Sequence, residues 1–321
     1  MKLSVIVLVY NEAESIVELY EELSKVLKSE FSTDWEILFV NDGSSDSSES
    51  ILEHVATTDS QHVRVVSLAR NYGQTVALAA GIDYSRGDII VSMDADLQND
   101  PADIHLLIQK IEEGYDLVNG WRQKRKDSFL TRKMPSKIAN WLISKMVGVS
   151  LKDYGCTLKA YRKSIIAALP MYAEMHRLIP AYAVLFGAKV FEVPVRHRKR
   201  KYGKSKYGLN RVFKIILDLM TYKFISRCLN KPMRLFGSIG AVIAGTSSVI
   251  LCTVWLGRFT ASGIAPLWVI LLELGMLILI GIQIMLLGLV VELVMWVYRQ
   301  SSNKRFYQVR RFILPADFKK K

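Results

Sequence analysis

The chain contains 321 residues, half of them hydrophobic, and carries a formal net charge of +13. This length accommodates a domain of about 200 residues together with a second region. The three cysteines, Cys156, Cys228 and Cys252, lie far apart without a CxxC pair. They therefore exclude a disulfide framework or a cysteine zinc site and fit a reducing compartment. The first apolar run, residues 3–9, is too short for a signal peptide.

The N-terminal part of the chain alternates between strand and helix patterns. The predicted strands are 3–9, 35–40, 63–68, 88–93 and 116–120, and the predicted helices are 13–28, 46–57, 74–85 and 102–113. This alternation predicts the α/β class, with a mostly parallel sheet, helices on both faces and ligands at the carboxyl ends of the strands. Residues 121–205 are basic and mixed in pattern, and no clear element is predicted there.

Two carboxylates, Asp94 and Asp96, stand at the end of the fourth predicted strand and are followed by Gln98. At a strand end the turning backbone lets carboxylates spaced i and i+2 converge, which is how a hard cation such as Mg²⁺ or Mn²⁺ is held. Such a cation usually also binds substrate phosphates, so the pair predicts a diphosphate-bearing substrate. An Asp-x-Asp pair is also common in acidic loops, and its place at a strand end is what favours the metal site.

Polar residues also follow the first two predicted strands. Asn11 and Glu12 come after the first strand, and Asp42, Gly43 and Ser44 come after the second. The carboxylate of Asp42 can accept hydrogen bonds from a nucleobase or ribose, although the segment also fits a plain turn before a helix. The first turn contains neither G-x-G-x-x-G nor a P-loop, which argues against dinucleotide-binding dehydrogenases and P-loop enzymes.

Two long apolar stretches lie near the C-terminus. Residues 235–256 are almost uncharged, and residues 266–298 are apolar apart from Glu273 and Glu292. Each is long enough to cross the hydrocarbon core, which takes roughly 20 residues, and neither shows the amphipathic stripe of a core helix. Basic clusters flank both stretches while only Arg258 lies between them, so the positive-inside rule places both termini in the cytoplasm. The same charge suits anionic lipids and phosphorylated ligands better than nucleic acid.

These patterns predict four regions. Residues 1–207 form a cytoplasmic domain, 208–232 amphipathic juxtamembrane helices, 233–298 a two-helix transmembrane region and 299–321 a basic cytoplasmic tail. The protein is therefore expected to be a multi-pass protein of the inner or plasma membrane. Small residues at helical spacing in the first span favour close helix packing, and a homo-oligomer is a further hypothesis.

Four motifs of the first region together resemble a known family. They are Val7-Leu-Val-Tyr-Asn11-Glu12, Val40-Asn-Asp42-Gly-Ser44-x-Asp46, Asn71-x-Gly73 and Met93-Asp94-Ala-Asp96-Leu-Gln98. The chain resembles the family 2 glycosyltransferases of GT-A fold. More narrowly, it resembles the polyprenyl-phosphate glycosyltransferases, which include dolichol-phosphate mannose synthases and bactoprenol glucosyltransferases. Asp153-x-Gly155-Cys156, His176-Arg177 and the segment from Val195 to Tyr207 extend the match.

The resemblance implies a role for each matching position. The implied metal ligands for Mg²⁺ or Mn²⁺ are Asp94, Asp96 and Gln98, and the implied nucleoside-binding residues are Asn11, Glu12, Asp42 and Ser44. The implied acceptor-phosphate group is Arg122, Arg132 and Ser136, and the implied strap over the diphosphate is Arg200, Ser205 and Lys206. Both basic groups also fit a plain basic surface. Asp153 would contact the sugar or the acceptor. It can be interpreted either as a general base or as a structural residue.

The function implied by the resemblance is an inverting, metal-dependent hexose transfer to undecaprenyl phosphate at the cytoplasmic membrane face. UDP-glucose is the favoured donor, and GDP-mannose is the alternative. A processive polysaccharide synthase would carry Q-x-x-R-W in its catalytic domain, whereas Gln308-Val-Arg-Arg311-Phe312 follows the last span and is interpreted as coincidence. An alternative of another class is a catalytically silent membrane scaffold or lipid-binding protein.

Overall fold

The computed structural model describes residues 2–31, 34–123, 144, 150–169, 171, 175–199, 201–202, 232–257, 267–300 and 309–313. The chain divides into two compact units. The first comprises residues 1–219 and 305–321, and the second comprises residues 220–304. In the described residues, the first unit contains a sheet with its covering helices, and the second contains two long helices.

The first unit is built on an eight-stranded sheet in the described part of the chain. Its strands are β1 (Leu3–Val9), β2 (Trp35–Asn41), β3 (Val63–Leu68), β4 (Ile89–Asp94), β5 (Leu117–Arg122), β6 (Lys159–Arg162), β7 (Val190–Val195) and β8 (Val309–Ile313). Their spatial order is β7-β5-β6-β4-β1-β2-β3-β8. Only β6 and β8 run antiparallel to their neighbours among these strands, so the predicted mostly parallel sheet is confirmed.

Helices cover both faces of this sheet. They are α1 (Ile16–Glu30), α2 (Ser48–Thr58), α3 (Gln74–Tyr84), α4 (Ile104–Glu112), α5 (Lys163–Ile166) and α6 (Ile179–Leu185). Helices α1, α2 and α4 bury their apolar residues against the strand face that carries Val5, Val7 and Phe39. Side chains alternate along a strand, so Ile6 points to the opposite face, where α3 lies. A Cβ built at Gly81 of α3 would lie 2.6 Å from Ile6 Cγ2, so a glycine allows this close approach.

A buried carboxylate joins the first three strands near their amino ends. Glu36 accepts hydrogen bonds from Ser4 Oγ at 2.6 Å, from the Arg64 guanidinium at 2.9 Å and from the Arg86 N–H at 2.6 Å. Burial opposes the ionisation of Glu36, but these bonds outweigh it and hold the pKa of the carboxyl below its usual value. The charged pair is thus part of the framework that holds β1, β2 and β3 together.

The second unit consists of α7 (Pro232–Gly257) and α8 (Leu267–Gln300) in its described residues. Both helices are long and apolar enough to cross a membrane. They touch through small residues, since a Cβ at Gly240 would lie 2.4 Å from the carbonyl oxygen of Gly281. A Cβ at Gly281 would lie 2.9 Å from the Ala244 Cβ, so part of the predicted small-residue face is used for contact within the chain.

The predicted elements agree with the structure to within a few residues for β1 to β5, α1 to α4 and both long helices. Strands β6, β7 and β8 were not predicted. Strand β8 lies in the predicted basic tail and contains Val309 to Phe312 of the string interpreted as coincidence. It pairs with the edge strand β3, and the local sequence does not reveal this long-range pairing. The juxtamembrane helices predicted at 208–232 lie outside the described residues up to 231, and Pro232 already belongs to α7.

Candidate active site

The carboxyl ends of β1, β2 and β4 lie side by side at one edge of the sheet. The strand register pairs Val9 with Asn41 and Leu8 with Asp94. The loops that leave these three strands therefore begin next to each other. They contain the residues implied in nucleoside and metal binding.

Asp94 and Asp96 form an acidic pair at this edge. Asp94 ends β4 and is mostly buried, and Asp96 is buried more completely. The Gln74 side-chain amide donates a 2.7 Å hydrogen bond to Oδ1 of Asp94, and the N–H of Gln98 donates one of 3.2 Å to Oδ1 of Asp96. Burial, followed by the charge of Asp96, raises the pKa of Asp94 to about 7. A cation placed between these carboxylates would relieve their repulsion.

The turn after Asp96 has an unusual backbone. Leu97 has a φ of 58°, in the left-handed region that bulky residues rarely adopt. Its side chain is nevertheless buried in the hydrophobic core. This packing holds the strained turn in place immediately after the acidic pair, and such strain is typical of functional loops.

The donor set of the pair fits Mg²⁺ or Mn²⁺. Asp94 and Asp96 offer carboxylate oxygens, the ligand type that hard divalent cations prefer. Across the described residues, no group of three or more His, Cys, Asp and Glu side chains comes together to hold a metal. A cation on two carboxylates keeps coordination positions for substrate phosphates, which is the usual arrangement for Mg²⁺ with phosphorylated substrates.

The loops after β1 and β2 are joined by hydrogen bonds. The N–H of Asn11 donates to Ser44 Oγ at 2.9 Å, and Oδ1 of Asn11 accepts from the N–H of Ser45 at 2.7 Å. The N–H of Glu12 donates to Ser48 Oγ at 3.2 Å, at the start of α2. Three residues implied in nucleoside binding, Asn11, Glu12 and Ser44, are therefore brought together, and the side chain of Asn11 holds the two loops in register.

Asp42 is buried under the loop that precedes α3. Its Oδ1 accepts a 2.8 Å hydrogen bond from the N–H of Tyr72, and its Oδ2 accepts one of 2.9 Å from the N–H of Gly73. Burial raises the pKa of Asp42 despite these bonds. Gly43 has a φ of +66°, and a Cβ there would lie 2.3 Å from the carbonyl carbon of Arg70. Only glycine fits this close approach, so the loops after β2 and β3 pack directly against each other.

Arg122 and Asp153 form a bidentate ion pair at the carboxyl end of β5. Arg122 Nε lies 2.6 Å from one carboxylate oxygen of Asp153, and a terminal guanidinium nitrogen lies 2.9 Å from the other. Glu192 of β7 accepts hydrogen bonds from the N–H groups of Lys152 at 2.9 Å and Asp153 at 3.0 Å. Strands β5 and β7 thus hold Asp153 through its backbone and through its side chain.

The remaining implied residues, Arg132, Ser136, Arg200, Ser205 and Lys206, lie outside the described residues. The segment that leads to the implied strap is described. The N–H of Arg198 donates to the carbonyl of Gln98 at 2.8 Å, and its guanidinium makes two 2.8 Å hydrogen bonds with Glu22 of α1. Lys201 makes two further 2.8 Å bonds with Glu18. This segment is therefore tied to α1 and to the loop that follows the acidic pair.

Two polar residues near the acidic pair were not predicted. Gln74 begins α3, and only the neighbouring Asn71-x-Gly73 motif pointed to this part of the chain. Lys159 is buried in β6, opposite Ser92 of β4, and therefore lies on the same sheet face as Asp94. Burial lowers the pKa of Lys159 to about 8. A single lysine in a basic region has no sequence signal that distinguishes it from its neighbours.

The chain is similar to a known family in its N-terminal half and to individual known proteins over nearly its full length. The model of the glycosyl transferase family 2 matches residues 4–169. The dodecaprenyl-phosphate galacturonate synthase of Rhizobium johnstonii is 37% identical over 314 residues, which cover 97% of this chain and 93% of that protein. The undecaprenyl-phosphate 4-deoxy-4-formamido-L-arabinose transferase of Enterobacter sp. strain 638 is 39% identical over 319 residues, which cover 97% and 94%.

Solved structures resemble this chain over about 70% of its length at low sequence identity. Mannosyl-3-phosphoglycerate synthase from Rubrobacter xylanophilus has a TM-score of 0.55 at 14% identity, covering 71% of this chain and 75% of that one. Glucosyl-3-phosphoglycerate synthase from Mycobacterium tuberculosis, solved with Mn²⁺, UDP and glucosyl-3-phosphoglycerate, has a TM-score of 0.51 at 18% identity, covering 71% and 80%. These likenesses concern the fold alone, and the expected GT-A-like α/β fold is confirmed.

Proposed function

This chain belongs to glycosyltransferase family 2, and from that premise we propose that it transfers a sugar from a nucleotide-sugar donor to a polyprenyl phosphate. The observation that carries the proposal is the acidic pair, Asp94 and Asp96, beside the joined loops of Asn11 and Asp42. A cation–diphosphate site and a nucleoside site would then share one edge of the sheet. The polyprenyl phosphate acceptor is supported by two relatives that match this chain over nearly its full length.

The sugar that we propose differs from the one expected from the sequence. Glucose was favoured, with mannose as the alternative, but the names of the two relatives specify galacturonate and 4-deoxy-4-formamido-L-arabinose. Both of these sugars carry a polar substituent that glucose lacks, a carboxylate in one and a formamido group in the other. We therefore propose a sugar of this kind as the transferred group.

The chain's own residues supply binding and orientation. Asp94 and Asp96 would hold the divalent cation, and the loops of Asn11 and Asp42 would hold the nucleoside beside it. When bound there, Mg²⁺ or Mn²⁺ supplies electrostatic stabilisation to the leaving nucleoside diphosphate. The acceptor phosphate, with a second pKa of about 6, is mostly dianionic at neutral pH and can attack the anomeric carbon directly. Attack from the face opposite the leaving group would invert the configuration at that carbon.

Asp153 fits a positioning residue better than a general base. Both of its carboxylate oxygens accept hydrogen bonds from Arg122, so the carboxylate is engaged in orienting the guanidinium. An oriented guanidinium at the end of β5 is suited to attract the phosphate of the acceptor. This assignment agrees with the chemistry of the acceptor, because a phosphate that is already ionised needs little help from a general base.

The cytoplasmic membrane surface is the location that we propose for this reaction. The chain leaves the first unit before α7 and rejoins its sheet as β8 after α8, which supports an even number of membrane crossings. Basic residues flank the two helices while only Arg258 lies between them, which supports a cytoplasmic first unit. The catalytic unit would then comprise residues 1–207 together with the strand from the tail.

The test is sugar transfer by the purified full-length protein to undecaprenyl phosphate. UDP-activated galacturonate, UDP-activated 4-deoxy-4-formamido-L-arabinose, UDP-glucose and GDP-mannose are each supplied in radiolabelled form with Mn²⁺ or Mg²⁺. We expect a lipid-extractable product from one of the first two donors. EDTA and Asp96→Ala should abolish this product. Asp88→Asn, at an exposed residue just before the start of β4, should leave it intact.

Each other outcome has a defined meaning. A product from UDP-glucose or GDP-mannose alone would overturn the proposed sugar and keep the reaction. A product that persists in EDTA and in Asp96→Ala would refute the role of the acidic pair. The absence of product from all four donors, with folded protein, would instead support the membrane scaffold or lipid-binding alternative.

A further inference from the structure

The turn of chain at the start of α3 contacts both parts of the candidate site. The N–H groups of Tyr72 and Gly73 donate to the carboxylate of Asp42, at 2.8 and 2.9 Å. The next residue, Gln74, donates its side-chain amide to Asp94 at 2.7 Å. The orientation of this turn therefore affects the residues proposed for the nucleoside and those proposed for the cation at the same time.

The start of α3 is not held by a cap of its own. Gly73 stands at the N-cap position with a φ of 93°, and a glycine has no side chain that could accept from the first N–H groups of the helix. Such a helix start depends on contacts with other parts of the protein. Thr75 lies in this first turn and is only 2% exposed, so its hydroxyl has to find its partners inside the protein.

His176 supplies these partners from a distant part of the chain. The backbone N–H of His176 donates to Oγ1 of Thr75 at 3.2 Å, and Nδ1 of its ring lies 3.0 Å from the same oxygen. His176 belongs to the short helical turn Met175–Arg177, and the two partners are 101 positions apart in the sequence. The His176-Arg177 motif extended the family resemblance, but no role followed from it. In the structure, both the backbone and the ring of His176 hold the start of α3.

We propose that His176 is a positioning residue for the divalent cation, and that it acts by holding the first turn of α3 through Thr75. Gln74 is the neighbour of Thr75 in this turn, so the same contact directs its amide at Asp94. Groups that orient a metal-binding carboxylate influence metal affinity although they do not ligate the metal themselves. The inference rests on the proposed function, because it takes the acidic pair to be the cation site.

The experiment measures Mn²⁺ affinity of the full-length protein in detergent by the electron paramagnetic resonance signal of the free ion, and the Tm of each variant. Thr75→Val keeps the shape of the side chain and removes the hydroxyl, whereas His176→Phe keeps a ring and removes Nδ1. We expect each to weaken Mn²⁺ binding about three- to tenfold, no more than Gln74→Leu, because both act through the Gln74 amide. Thr75→Ser and His176→Asn keep hydrogen-bonding groups and should bind Mn²⁺ nearly as the wild type does. Thr58→Val, at an exposed threonine of α2, is the matched control and should bind Mn²⁺ like the wild type.

A double-variant cycle separates this positioning role from a merely structural one. If His176 acts through Gln74, His176→Phe should weaken Mn²⁺ binding little further once Gln74→Leu is present. Additive losses in the double variant would overturn the proposal, as would an unchanged affinity in either Thr75→Val or His176→Phe, or an equal loss in Thr58→Val. A wild type that binds no Mn²⁺ would refute the cation site and this inference with it. The measurement needs no sugar donor or acceptor, so a failed transfer assay would leave its result intact.

Discussion

The raised pKa of Asp94 predicts that metal binding by this protein depends steeply on pH around neutrality. A divalent cation binds the ionised carboxylate, and protons compete for the same oxygen atoms. With a pKa of about 7, Asp94 is mostly protonated at pH 6 and mostly ionised at pH 8. The ionised fraction changes from about 0.09 to about 0.9 over this interval, so the apparent affinity for Mn²⁺ should rise about tenfold and then level off.

Mn²⁺ binding can be followed by the electron paramagnetic resonance signal of the free ion, with full-length protein in detergent at pH 6, 7 and 8. Asp94→Asn removes the titrating group and should bind Mn²⁺ weakly, with little dependence on pH. Asp88→Asn, at an exposed residue just before the start of the same strand, should behave like the wild type. An affinity that is the same at pH 6 and pH 8, or a pH dependence that survives in Asp94→Asn, would contradict the reasoning.

Three further predictions follow from other contacts. Gln74→Leu removes the amide that donates a hydrogen bond to Asp94 and should weaken the apparent Mn²⁺ affinity about tenfold, while kcat at saturating Mn²⁺ is largely kept. Glu36→Ala leaves the buried Arg64 guanidinium without its carboxylate and should cost about 3–5 kcal/mol of stability, seen as a lower Tm. Gly281→Val forces the two long helices apart and should lower the Tm in detergent by several degrees, whereas Gly275→Val, which meets open space, should not.

The first two of these have their own controls. Gln109→Leu changes an exposed glutamine of α4 and should leave Mn²⁺ affinity unchanged. An equal loss of Mn²⁺ affinity in both glutamine variants would show that Gln74 has no specific role in metal binding. For the buried ion pair, the double variant Glu36→Leu with Arg64→Met should be less destabilised than Glu36→Ala, because no buried charge is left alone. A double variant that is more destabilised than Glu36→Ala would show that the attraction between the two charges outweighs the cost of burying them.

The elements that the sequence predicted well are those whose pattern is local. Strand β3 was predicted at 63–68 and is observed at Val63–Leu68, since a short run rich in valine and bounded by polar turns identifies a strand. Strand β6 has only four residues, and β8 follows the long apolar helix α8 in a basic segment. The strand conformation of β6 depends on its pairing with β4 and β5, and that of β8 depends on its pairing with β3. Such short segments show no alternation of apolar and polar residues that would predict this pairing.

The candidate site shows the same division. The acidic pair could be predicted because the residue types, their spacing and their place after a strand all point to a divalent cation. The ion pair of Arg122 with Asp153 could not, because the two residues are 31 positions apart and meet only through the arrangement of β5 and the loop after it. Arg122 was therefore expected, together with Arg132 and Ser136, to bind the acceptor phosphate, and the structure adds the carboxylate that orients its guanidinium.

By itself the sequence determined the α/β class, the acidic pair at a strand end and the two membrane-length helices. Each depends on periodicity or spacing within a short stretch of chain. Only the tertiary structure decided that Gln74 contacts Asp94, that β8 completes the sheet and that His176 contacts the start of α3. These facts depend on strand order and on the loops that leave the strands, which join residues that are distant in the chain.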